Sequence, residues 1–184
     1  MLESEKRAEA ALYYLYMMSD GKVTYDEEIL FDKICKELQV TEEMKRNIIS
    51  DCKVKARGEH EIFLTVIRDK IDETAGKSWG RLKDKSSLAK IIWNLVNLGY
   101  ADKDFSTNER KIVEYLINKW SIPKEIYIEF VDIAETILSL IQEREWIRKT
   151  FALGSERDKK EQNIEKDIKK LKKDVDLTIE ELTM

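Results

Sequence analysis

The sequence has one histidine, one proline, two cysteines and six glycines in 184 residues, and each scarcity closes a class of function. His60, at the expected start of a helix, has no partner for general acid–base work and reads as a surface or capping residue. Cys35 and Cys52 lack Cys-x-x-Cys spacing and fall on apolar helical faces, which predicts buried reduced thiols rather than a zinc or redox pair. The glycines form no phosphate-cradling loop and no Gly-x-Ser-x-Gly turn. Acids are plentiful, but a catalytic acid and base need unlike environments, and these acids lie in turn sequences expected to be solvated. The expectation is therefore no enzyme and no organic cofactor.

Charge of one sign is missing as well. Lys and Arg total 33 against 37 Asp and Glu, interspersed, for a net charge of −4. That argues against the one-sided basic surface that nucleic acid binding needs. No stretch reaches the roughly 18 apolar residues of a membrane span, and the richest, 133–141, is interrupted by Glu135 and Thr136. The opening MLESEKRAEA carries charges where a secretory leader has its apolar core, so a cytoplasmic location is expected.

What is present is a helical alphabet, 42% apolar and 38% charged, with few residues that break helices. Two acidic stretches stand out. DGKVTYDE (20–27) and DKDFSTNE (102–109) share one pattern: Asp, two polar or small residues, an apolar residue, Ser or Thr, two more, then Glu. Their offset of 82 continues downstream without a gap, pairing Leu30 with Ile112, Phe31 with Val113, Ile34 with Leu116, Leu38 with Trp120 and Ile48 with Phe130. Shared apolar register over this distance reads as an internal duplication. Thr24 with Glu27, and Ser106 with Glu109, are capping-box pairs that open helices.

Around these turns the apolar spacing predicts an all-α chain. A first helix covers about 3–19, a second 25–38, a third opens at Thr41, and a fourth spans 59–73. The segment AGKSWG (75–80) reads as a loop with Trp79 as a packing anchor. The most apolar helix holds Leu88, Ile91, Ile92, Leu95 and Val96, and is expected to be central. Helices over 107–120 and from Pro123 to about 151 follow. After Gly154-Ser155 the chain turns highly charged, with a narrow apolar seam at Ile164, Ile168, Leu171 and Val175. This tail either packs on the body, pairs with another chain as a homo-oligomer, or frays.

The runs MMSDGKVTYDEEILFDKI and LGYADKDFSTNERKIVEYL resemble the TerB-like family of helical modules, named after a tellurite-resistance protein. The likeness covers roughly 5–140. The second copy has Asp102-Lys103 where the first has Asp20-Gly21. No His-Pro-Asp signature is present, so no co-chaperone activity carries over. The resemblance implies a TerB-like domain over 1–151, with units at about 5–56 and 87–140, and a charged helix or short coiled-coil-like tail over 152–184. It also implies a stress-response module working in protein assemblies, in some cases at the inner face of the membrane.

Asp20, Glu27, Asp102 and Glu109 are the candidate metal ligands. Hard cations such as Ca²⁺, Mg²⁺ or Mn²⁺ take several oxygen ligands, and four carboxylates supply them if the turns meet; the family resemblance points the same way, and Zn²⁺ is a further candidate. An EF-hand is excluded: counting from Asp102, Thr107 stands at the obligatory glycine and Val113 at the bidentate glutamate. The competing reading keeps all four acids as caps and turn formers, favoured at helix N-termini by about 0.3–1 kcal/mol. It makes the protein a metal-independent helical interaction scaffold.

Overall fold

A computed structural model describes residues 3–55, 69, 72 and 83–182. Among the described residues the chain forms seven α-helices and no strand: α1 (Glu3–Met17), α2 (Tyr25–Glu37), α3 (Glu42–Lys55), α4 (Lys85–Gly99), α5 (Thr107–Trp120), α6 (Lys124–Thr150) and α7 (Ser155–Glu181). The helix expected over 59–73, His60, and the loop with Trp79 lie outside the described residues, apart from Asp69 and Asp72.

α1 begins as an amphipathic helix and ends as a wholly buried one. Tyr13, Tyr14, Leu15, Tyr16 and Met17 are buried in succession, so every face of this last turn meets another helix. α3 packs along α1 through Ile48 and Cys52, and Arg7 pairs with Asp51 at 2.9 Å on the surface beside it. A 3-10 turn, Met18–Asp20, closes the α1 segment, and Gly21 at φ 89° donates its N–H back to the Met18 carbonyl. Both cysteines are buried, and burial pushes the Cys35 thiol up to about 12.

α4 is the central helix, packed against α1, α2, α5, α6 and α7. Its N-cap is Asp84, whose carboxylate accepts from the Ser87 amide at 2.7 Å. Leu88, Ala89, Ile91, Ile92, Leu95, Val96 and Leu98 are all fully enclosed. At its C-terminal end Gly99 is needed for space: a Cβ there would stand 2.5 Å from a ring carbon of Phe105 and 2.6 Å from the Tyr16 hydroxyl. That close approach lets the end of α1 and the loop before α5 share one floor.

The charged C-terminal segment docks on the body. α7 folds back along α6 and reaches α4; Val175 and Ile179 join the main core, with Ile168 and Leu171 half-buried against it. Thr178 also donates to Glu129 of α6 at 2.7 Å. Ile179 extends the seam by one further step of four. Of the three fates open to the tail, the structure has the first.

Candidate functional site

The two acidic turns are built alike. Thr24 accepts from the Glu27 amide through its hydroxyl, while the Glu27 carboxylate takes the Thr24 N–H at 2.7 Å and the Thr24 hydroxyl at 2.8 Å. Ser106 and Glu109 repeat the box, with the Ser106 N–H donating to Glu109 at 2.8 Å. Asp20 accepts from the amide two residues on, Lys22, at 3.1 Å; Asp102 does the same with Asp104 at 3.1 Å. Lys103 adopts φ 74°, the left-handed backbone that Gly21 adopts at 89°. The Lys-for-Gly exchange therefore leaves the turn's path unchanged.

The match continues past the turns. Just past the ends of α2 and α5 stand residues with positive φ, Gln39 at 57° and Ser121 at 52°, again 82 positions apart. The next residues close equivalent bonds, Val40 N–H to the Cys35 carbonyl and Ile122 N–H to the Ile117 carbonyl.

The turns also meet. The Asn108 side-chain amide at the start of α5 donates to the Ser19 carbonyl at 3.3 Å, tying one turn to the other. Glu27 and Glu109 are both buried, at 3% exposure each, which corrects the expectation of solvated acids. The capping contacts that bury them were legible; the approach of a second turn, which removes the water, was not.

Burial first, and then neighbouring carboxylates, lift both groups above the usual glutamate range. For Glu27 the neighbours are Asp20 and Asp102, and capping bonds from Thr24 partly offset the rise. Glu109 is pushed up to about 7, with Glu27 and Asp20 adding to burial against the Ser106 bonds. Asp20 thus bears on both glutamates, Asp102 on Glu27, and Glu27 on Glu109. Neither glutamate forms a salt bridge among the described residues: Arg110, next to Glu109, instead donates to the Phe105 carbonyl and lies 4.3 Å from the Phe105 ring centre.

Two polar atoms at this junction escaped sequence reading. The Tyr16 hydroxyl and the Ser19 hydroxyl are buried without a hydrogen-bond partner among the described residues. Burial first, and then the nearby charges of Glu109, Tyr127 and Glu27, raise Tyr16 well above the normal tyrosine range. Three tyrosines in the last turns of a largely apolar helix end, Tyr13, Tyr14 and Tyr16, were the available signal. A buried orphan hydroxyl costs about 1–3 kcal/mol, and a cation with its water would give it a partner. The capping contacts occupy Oε2 of Glu27 and Glu109, leaving the other oxygen of each outside the box. No three His, Cys, Asp or Glu side chains among the described residues, however, are arranged to hold a metal ion.

Among the described residues no helix is long and apolar enough to cross a membrane. No protein-family model, curated protein or solved structure matches the chain.

Proposed function

We propose that the chain is a non-enzymatic, TerB-type stress-response module in which two related helical units hold a divalent cation between their acidic turns, and which acts by joining protein assemblies in the cytoplasm. The observation that carries this reading is the buried Glu27–Glu109 pair, which lacks a basic partner among the described residues and sits beside an orphan tyrosine hydroxyl. Capping alone does not call for buried charge, since glutamine closes the same box. The two glutamates, lifted by burial and by neighbouring carboxylates, are relieved by an oxygen-seeking cation, for which Ca²⁺, Mg²⁺ or Mn²⁺ suits the donor set better than Zn²⁺. Asp20, Glu27, Asp102 and Glu109 would supply the oxygens, after rotation of the aspartates out of their turn bonds. The 82-residue match of caps, turn bonds and positive φ supports reading the two units as copies of one ancestor.

The second reading, a metal-independent interaction scaffold, draws on the closed capping boxes and on the absence of a ready three-ligand group among the described residues. Calorimetric titration of the full chain with Ca²⁺, Mg²⁺, Mn²⁺ and Zn²⁺ separates the two. Saturable one-site heat from an oxygen-seeking cation supports the metal module. Silence with all four leaves the scaffold.

A further inference from the structure

The turn between α6 and α7 has an unusual surface. Trp146 is 58% exposed and Leu153 is 86% exposed, the latter the most exposed large apolar side chain among the described residues. Phe151, half-buried between them in sequence, meets Trp146 edge-to-face at 5.8 Å between ring centres. Ile147 and Ile164 are buried yet stand outside the main core, so this end of the hairpin packs on itself.

Basic side chains surround the apolar tip. Residues 146–161 hold five basic and three acidic residues, a net +2 in a chain of net −4. The acids at either end are already answered: Glu145 lies 3.6 Å from Lys103, and Glu161 takes both Arg148 and Arg157 at 2.8 Å. Glu156 and Asp158 occupy the first turn of α7, where the helix dipole offsets their charge. Lys149 and Lys159 have no ion-pair partner among the described residues, and Lys160 stands 5.1 Å over the Phe151 ring.

We propose that this tip docks the protein peripherally on an anionic phospholipid surface, with Trp146 and Leu153 entering the headgroup layer and the surrounding lysines meeting lipid phosphates. An aromatic ring at headgroup depth together with basic residues is the pairing of two weak signals that gives reversible membrane attachment. The opposite overall charge orients the molecule, because only this end is attracted to a negative surface. An acidic protein would satisfy the lysines, but it gives no reason for a bare tryptophan and leucine at the apex of a hairpin.

The test is sedimentation of the full chain with vesicles of phosphatidylcholine mixed with phosphatidylglycerol, alongside pure phosphatidylcholine vesicles and soluble polyglutamate. Binding to the mixed vesicles alone is expected, weakening as salt is raised, with a blue shift of tryptophan emission that Trp146→Phe removes. Lys149→Glu with Lys159→Glu, and separately Trp146→Ala with Leu153→Ala, should each lower partitioning about tenfold or more while leaving the circular-dichroism melt unchanged. No sedimentation, equal sedimentation with neutral vesicles, insensitivity to the lysine reversals, or capture by polyglutamate in place of vesicles would each overturn the proposal.

Discussion

The first and second acidic turns follow one path with different residues, and the differences show which features the geometry demands. Gly21 and Lys103 share the left-handed backbone, so that conformation is imposed by the turn and merely made easier by glycine. The Asp and the Thr/Ser–Glu cap occur in both. The interior differs: Val23 of the first turn corresponds to Phe105 of the second, and Met17 to Gly99. A larger ring in one place is matched by a missing side chain in the other, since Phe105 lies directly over Gly99. The second turn is therefore the tighter of the two, and its glutamate is the one lifted to about 7.

The largest test of this asymmetry is Glu109→Gln. A carboxyl lifted from 4.5 to about 7 is charged in the fold at a cost on the order of 3 kcal/mol. Because its folded pKa lies above its unfolded one, the folded state holds the proton between about 4.5 and about 7 while the unfolded state does not. Stability should therefore fall as pH rises through that window and level off above it. Glutamine keeps the capping box and carries no charge, so in cation-free buffer at pH 8 the variant should melt higher than wild type, and its melting temperature should lose this acid-side rise. Glu27→Gln should act in the same direction and less strongly. A melt that drops in both variants would mean that the carboxylates are stabilising as they stand.

Cation binding gives the next effect. A cation at about a hundred times its Kd stabilises the fold by about 2.7 kcal/mol, enough to move the melt by several degrees. Asp20→Asn with Asp102→Asn should remove that gain and cost little without cation, because both capping boxes remain. A melt of the wild type that no divalent cation moves would make the acids caps and turn formers only.

Gly99→Ala probes the packing side of the comparison. The added methyl meets the Phe105 ring and the Tyr16 hydroxyl, and overpacking of this kind costs about 1–3 kcal/mol. Pairing it with Phe105→Val, the residue type at the first turn, should recover much of the loss. Thermal melts of the two single variants and the double complete the cycle.

How far the sequence disclosed this site depended on the range of each interaction. The capping boxes, the stop at Gly21 and the central apolar helix over 88–96 follow from neighbours a few residues apart, and local patterns carry them. Burial of Glu27 and Glu109 depends on Asn108 reaching Ser19 and on Gly99 admitting Tyr16, contacts that span much of the chain. Composition marks Glu27 and Glu109 as polar, and only the fold removes their water. The docking of α7 was half legible: spacing gave the seam from Ile164 to Val175, but a highly charged segment gives no local sign of which surface receives it.

The smallest predicted effect bears most directly on whether the two turns are one design. Lys103 holds φ 74° with a Cβ that disfavours it, whereas Gly21 has open space around the position its Cβ would take and only its φ of 89° to protect. Lys103→Gly should thus stabilise, and Gly21→Ala should destabilise, each by about 0.5–1 kcal/mol. Loss of the Lys103 contact with Glu145 subtracts little, since both side chains are nearly half exposed and such pairs contribute about 0–1 kcal/mol. Opposite signs of similar size, read from denaturant melts with unchanged slope, would mark one backbone requirement at both turns. If Gly21→Ala proved neutral, the left-handed turn would be a preference of the second copy alone, and the two acidic loops would be alike in sequence without being held to the same shape.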